Sequence, residues 1–168
     1  MIKNSIVWIR DDFRLQDNPA LSFATNNHEF VSAIYIYDKK DFDNIREAQK
    51  WWISKSLTSL KEDLSKNNIN LEIIEDNHIN FFKKLKAKDI SVYWNKIYEP
   101  QELRKDKEII ALLEKNKISF KFFKGNVLNE YNEITKSDGT PFKVYSPFWR
   151  NAENYYIESI PLKNKPLK

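Results

Sequence analysis

Five short apolar runs, separated by stretches of helical periodicity, constrain this chain more than any other feature. The runs are Ser5–Ile9, Phe30–Tyr37, Leu71–Glu75, Ser91–Trp94 and Ser119–Phe123. Strand-like runs alternating with helices imply a parallel sheet, because each crossover lays a helix against one sheet face. The helical stretches carry matching apolar stripes. Between Ile45 and Lys66, the residues Ile53, Leu57, Leu60 and Leu64 follow i, i+4, i+7, i+11 spacing and form one face. Between Pro100 and Asn116, Leu103, Ile110 and Leu113 with Ile109 and Leu112 beside them form another, opened by a proline suited to a first helical turn. Right-handed crossovers then favour the strand order 3-2-1-4-5. The expected fold is α/β, a Rossmann-like doubly wound five-stranded parallel sheet with helices on both faces. A length of 168 residues suits one domain, placed at 1–150. Residues 151–168 read as a linker or tail, since Ser159–Lys168 is rich in proline and lysine without apolar periodicity.

In this strand order the chain reverses direction between the first and fourth strands, and the ligand crevice lies outside their carboxyl ends. Two loops meet there. Arg10–Asp17 holds two arginines and three aspartates between a buried strand and a helix start, where Asp17 or Asn18 is the N-cap and Pro19 the first helical residue. Asn95–Glu102 brings Glu99, Gln101 and Glu102 to a second helix start, beside free backbone N–H groups. Two carboxylates and an amide so placed can hydrogen-bond a flat heterocycle. Glu99 and Glu102 can equally do no more than complement the helix dipole, and the first loop can be a solvated surface with internal ion pairs.

Composition excludes several chemistries. The chain has no cysteine, so disulfides, thiolate nucleophiles and cysteine-based metal sites are ruled out. His28 and His78 are too far apart in sequence, without paired ligand spacing, to suggest zinc. Gly125 and Gly139 are the only glycines, which removes glycine-rich phosphate-binding turns, and no serine elbow supports hydrolase chemistry. No apolar run reaches the length needed to cross a bilayer, and no signal-peptide core follows Met1, so a cytoplasmic protein is expected. The net charge of +4 comes from lysines interleaved with acids, as in Arg104-Lys105-Asp106-Lys107-Glu108, which reads as solvated helix surface rather than a nucleic-acid face. Trp51 lies about 160° around its helix from the apolar stripe, so it points away from the sheet. It is either scattered surface apolarity or a contact with a second domain or partner.

Three segments carry a resemblance. Trp8-Ile9-Arg10-Asp11-Asp12-Phe13-Arg14-Leu15-Gln16-Asp17-Asn18-Pro19-Ala20-Leu21 resembles the N-terminal signature of the DNA photolyase and cryptochrome family, usually Trp-Phe-Arg-x-Asp-Leu-Arg-Leu-x-Asp-Asn-Pro-Ala-Leu. Ile9 stands for Phe and Phe13 for Leu. Trp51-Trp52-Ile53 lies in a segment similar to the family's Arg-Trp-Trp-Leu-x-x-Ser-Leu pattern, with Lys50 and Ile53 replacing Arg and Leu. Gly139–Arg150 resembles the Gly-x-Pro-Tyr-x-Val-Phe-Thr-Pro-Phe block that ends the family's α/β domain. In that block Ser146 and Pro147 also give an N-cap and first-turn signal for a short helix.

The resemblance implies the N-terminal antenna-chromophore domain of a deoxyribodipyrimidine photolyase, which repairs cyclobutane pyrimidine dimers in DNA with light. Carried over residue by residue, it marks Gln101 and Glu102 as the pair that contacts a pterin ring in folate-using members; Gln101 stands where some members have Asn. The expected binding residues are Arg10, Asp12, Arg14, Gln101 and Glu102, with the arginines as charge or stacking partners and Glu102 as acceptor. The antenna is methenyltetrahydrofolate, FMN or a deazaflavin. FAD, damaged DNA and catalysis belong to a helical domain beyond this chain, which by itself is expected to be inactive and to dock that domain or another protein near Trp51. Two other readings are a stand-alone nucleotide-binding or protein-interaction module and one half of a split photolyase.

Overall fold

The computed structural model describes residues 4–86, 89–156 and 160–167. The strands are β1 (Asn4–Ile9), β2 (Phe30–Tyr37), β3 (Asn70–Glu75), β4 (Ile90–Asn95) and β5 (Ser119–Phe123), each within one residue of its apolar run. They pair in parallel in the order β3-β2-β1-β4-β5, the arrangement that the alternation of strands and helices implies. The helices are α1 (Pro19–Asn27), α2 (Lys39–Asn44), α3 (Glu47–Ser65), α4 (His78–Lys84), α5 (Pro100–Lys115) and α6 (Tyr145–Ala152). Among the described residues no helix is long and apolar enough to cross a membrane.

Side-chain alternation along the strands sorts the core into two layers. Val7, Ile9, Val31, Ala33 and Leu71 pack with Ala20, Leu21 and Ala24 of α1 and Leu57, Leu60 and Leu64 of α3. Ile6, Trp8, Ile34, Ile36, Val92 and Trp94 pack on the other face with Phe82 of α4 and Ile109 and Leu113 of α5. The stripes read from the sequence are therefore the faces that reach the sheet.

Helix starts follow local capping chemistry. Asn18 caps α1 by accepting from the Leu21 N–H at 3.2 Å, with Pro19 at the first position, where no intrahelical bond is lost. Asp17, just before it, adopts φ 50°, a left-handed conformation that aspartate tolerates better than most residues. Asp38 caps the short α2 through Lys40 N, so the helical stretch after β2 begins before the expected Ile45 and breaks at Ile45–Arg46.

The chain forms two compact units, one running up to Gly125 and including the residues from Leu162, the other Asn126–Pro161. In the first, Leu162–Leu167, from the segment expected to be a linker or tail, lies along α1. Asp17 N donates to Leu162 O, Ser22 Oγ to Lys163 O at 3.0 Å, and Asn164 Nδ2 to Leu15 O at 2.7 Å. In the second, Gly139 takes φ 77° in a turn closed by its N–H to Lys136 O at 2.9 Å, and Tyr145 stacks on Trp149 in α6. That helix has Val144 as its N-cap, without a side-chain bond, which corrects the placement of Ser146 at the cap. Pro147 fits inside the first turn because N–H groups there need no intrahelical partner.

Gly125 is fixed by proximity. A Cβ built there would fall 2.1 Å from the Lys96 carbonyl oxygen, a backbone atom held by the Lys96 N–H to Phe123 O bond. Gly125→Ala should lower stability by about 1–3 kcal/mol through this overpacking, measured as a reduced urea midpoint with unchanged slope.

Candidate functional site

Beyond the end of β1 the chain turns Arg10 toward α5. The side chain is 4% exposed, Nη1 donates to both oxygens of Asp106 at 2.9 and 3.1 Å, and Nη2 donates to Glu102 Oε2. Glu102 Oε1 accepts from Lys105 Nζ at 2.8 Å, and Trp94 Nε1 lies 3.4 Å from Asp106 Oδ2. The guanidinium sits over the Trp8 ring, 4.5 Å from its centroid, where its weak hydration favours cation–π contact.

A second network ties the neighbouring backbone. Asp12 Oδ1 accepts from Arg10 N at 2.9 Å, while its Oδ2 accepts from the side-chain amides of Asn18 and Asn95. Asn95 also donates to Asn18 Oδ1 at 2.8 Å and accepts from Ala20 N at 3.1 Å. Asp12 thus joins the end of β1, the start of α1 and the end of β4.

These groups border a crevice of 280 Å³ over the carboxyl ends of β1, β2 and β4. Its lining comes from residues 8–11 at the end of β1, residues 35–38 at the end of β2, Asp41, Phe42, Ile45, Gln49 and Ile53 from α2 and α3 with the break between them, and His78, Ile97, Glu99, Glu102 and Lys105. Of the residues expected from the sequence, Arg10 and Glu102 meet in it. Asp12 belongs to the amide network beside it. Arg14 donates to Asp17 O at 3.0 Å and borders a different groove, with Phe13, Leu15, Trp51, Trp52 and Lys55. Gln101 is exposed and donates to Glu99 Oε2 at 2.9 Å.

Asp106 corrects the reading of Arg104–Glu108 as solvated surface. It is buried at 6% exposure because it falls in register with Leu103, Ile109 and Leu113 on the stripe of α5 that faces the sheet. A carboxylate on an apolar stripe was the available signal, and it called for a buried cation. Tyr35, Phe42 and His78 carried no local signal, since they come from β2, α2 and the start of α4, far from the two loops in sequence.

The electrostatics of the crevice follow from partial burial. Burial lifts the Asp11 carboxyl above its usual range against the pull of Arg10, and nearby Glu102, Asp12 and Glu99 add to the rise. Burial also raises Asp106. It works the same way on Glu102, but there hydrogen bonds and charge from Lys105 and Arg10 prevail and the carboxyl is held low. The Tyr35 phenol is pushed up to about 12 by burial and by Asp11, so it stays protonated. Burial lowers His78 to about 4, with Lys105 adding to the effect, so its imidazole is neutral near pH 7.

The family model described as DNA photolyase matches residues 5–166. Deoxyribodipyrimidine photo-lyase of Agrobacterium fabrum is 32% identical over 150 residues, 88% of this chain and 31% of the relative. Cryptochrome-2 of Arabidopsis thaliana is 29% identical over 168 residues, 96% of this chain and 27% of the relative. The crystal structure of a bacterial class III photolyase from Agrobacterium tumefaciens superposes with a TM-score of 0.84 at 29% identity, over 99% of this chain and 34% of that one. An archaeal photolyase from Sulfolobus tokodaii, solved with two FAD molecules, shares the fold at 21% identity and TM-score 0.84, over 98% of this chain and 37% of that one. The chain spans about a third of the length of these relatives.

Removing one anion from the Arg10 cluster exposes its energetic role. Asp106→Asn should destabilise the chain by about 3 kcal/mol, at the low end for a broken buried pair because Glu102 still faces the guanidinium; urea unfolding at pH 7 measures it. His78 gives a pH signature. Its folded pKa, about 4, lies below the unfolded 6.5, so the unfolded chain binds the extra proton and stability falls as pH drops through this window. Between those limits the wild type should lose about 2 kcal/mol more than His78→Gln, less than full linkage because part of the ring meets solvent. Urea midpoints of both proteins across the range check this.

Proposed function

The chain belongs to the DNA photolyase family, as an N-terminal α/β domain of the photolyase and cryptochrome type, and on that premise we propose that its crevice binds a flat heteroaromatic antenna chromophore. The observation that carries this reading is the crevice at the β1–β4 switch point, whose lining combines Tyr35, Tyr37, Phe42 and Ile53 with the charged groups of Arg10, Asp11, Asp38, Asp41, Glu99, Glu102 and Lys105. Apolar and aromatic walls with a few convergent polar groups are what a planar ring requires. The volume of 280 Å³ is close to the lower end of ligand pockets, about 300 Å³, and suits a ring system with its tail in solvent. The Sulfolobus tokodaii photolyase, whose two FAD molecules imply a novel light-harvesting cofactor, supports the reading by analogy.

In this reading methenyltetrahydrofolate, FMN or a deazaflavin absorbs blue light and passes the energy to FAD in a helical domain, where the pyrimidine dimer in DNA is split. The side presented to that domain is the groove around Trp51. Trp51 and Trp52 are 60% and 65% exposed, beside Phe13 and Leu15, more large apolar surface than one helix turn ordinarily leaves in water.

Absorption titration of the purified chain with the three pigments tests the proposal. One of them should bind saturably, with affinity reduced about tenfold by Arg10→Ala or Glu102→Ala, since either change breaks the ion pair that holds α5 against the crevice, and unchanged by Trp51→Ala. Wild-type affinity in both crevice variants would remove those residues from the site, and no saturable binding of any pigment would refute the antenna role.

A further inference from the structure

The segment Leu162–Leu167 has no apolar periodicity, yet the first compact unit grips it along its backbone. Asp17 pairs with Leu162 at two points: its N–H donates to Leu162 O at 3.2 Å, and its Oδ1 accepts from Leu162 N–H at 3.1 Å. Ser22 Oγ and Asn26 Nδ2 converge on Lys163 O at 3.0 and 3.3 Å, and Thr25 Oγ1 accepts from Lys165 N–H at 3.3 Å. Ser22, Thr25 and Asn26 share one face of α1 by their i, i+3, i+4 spacing. At the far end Asn68 Nδ2 donates to Leu167 O at 2.9 Å, and the Leu167 side chain packs on the layer under α1 and α3. Short polar side chains on a helix thus supply the partners that a neighbouring strand would give an extended chain.

The attachment reaches the crevice through one loop. Asp17 O accepts from Arg14 Nε at 3.0 Å, Asn164 Nδ2 donates to Leu15 O at 2.7 Å, and Asn18 Nδ2 donates to Arg14 O and Asp12 Oδ2 at 3.2 and 3.1 Å. Asp12 Oδ1 in turn accepts from Arg10 N–H, and Arg10 and Asp11 line the crevice. Asp17 is the joint of this network. Its φ of 50° is a conformation that few residues other than glycine keep without support, and the paired bonds to Leu162 supply that support.

We propose that Leu162–Leu167 is a clasp that holds the Arg10–Asp17 loop in its crevice-forming shape. Its hydrogen bonds lie near the surface, where each contributes little net stability, and the cost of ordering an extended segment offsets much of their sum. The clasp therefore opens more readily than the domain unfolds. On opening, Asp17 loses both contacts that fix its left-handed backbone. Its relaxation to negative φ carries Arg14 and Leu15 with it and loosens the hold of Asp12 on the Arg10 N–H. The clasp acts on the loop whatever the crevice binds, so it stands apart from the chromophore reading.

Two measurements on the full chain test the clasp: the rate at which trypsin cuts the Lys163–Asn164 bond, followed by mass spectrometry, and amide hydrogen exchange followed by NMR. Ser22→Ala combined with Asn26→Ala removes both side-chain donors to Lys163 O. Alanine favours the helix, so α1 stays folded in this variant. It should be cut at Lys163 about tenfold faster than wild type, and its Arg10 and Arg14 amides should exchange about tenfold faster. Amides of β4 and β5 should exchange as in wild type. Asn164→Ala releases Leu15 O from the segment's side and should raise the same two exchange rates. Faster cutting with unchanged Arg10 and Arg14 exchange overturns the proposal, since the segment then rests on α1 without shaping the loop. Unchanged cutting in the Ser22→Ala, Asn26→Ala variant overturns it as well, because those contacts then hold nothing.

Discussion

A guanidinium withdrawn from water organises this molecule. Arg10 follows the last residue of the central strand, and two carboxylates one helical turn apart on α5, Glu102 and Asp106, close around it. Removing a charge from solvent is costly unless it is paired and hydrogen-bonded, and Nη1 bridging both oxygens of Asp106 with Nη2 on Glu102 supplies both. The consequence is positional. With α5 fastened at its first two turns, the loop ahead of it carrying Ile97 and Glu99 is fixed against the end of β1, and one wall of the crevice is set before anything binds.

The amide network of Asp12, Asn18 and Asn95 performs the matching task on the other side of β1. Each carbonyl and each amide nitrogen of the two asparagines finds a partner, and the same Asn18 that caps α1 also bonds Asn95 at the end of β4. Short polar side chains can reach three backbone segments at once only where those segments already converge, as they do where a doubly wound sheet changes direction. Specific polar ties at this point make the loop geometry a property of the fold rather than of a ligand.

What could be read from the sequence divides along the range of the forces involved. Strands, apolar stripes and the Asn18-Pro19 start are set by neighbours a few residues apart, so periodicity and capping chemistry revealed them. The strand order followed because few topologies satisfy the crossover rule. The site was legible where it sits on the two switch-point loops, as with Arg10 and Glu102. It was illegible where residues arrive from β2, α2 and α4, since Tyr35, Phe42 and His78 have no pattern of their own. Asp106 was hidden by its charged neighbours, although its register with Ile109 and Leu113 was visible. The run Leu162–Leu167 has no periodicity, and it is held by individual hydrogen bonds, among them Ser22 Oγ of α1 to Lys163 O and Asn164 Nδ2 to Leu15 O in the loop before α1, that composition does not encode.

The crevice draws its walls from both hydrophobic layers. Ile9 and Ile53 belong to the layer under α1 and α3, whereas Trp8 and Ile36 belong to the layer under α4 and α5. The sheet otherwise keeps these layers apart, so an occupant of the crevice would be a member of two cores at once. Its binding energy would then be shared between two packing systems that meet only through the backbone ladder. Occupancy would bind the opening of one layer to the opening of the other, turning a site at the end of the central strands into a bolt between the two layers.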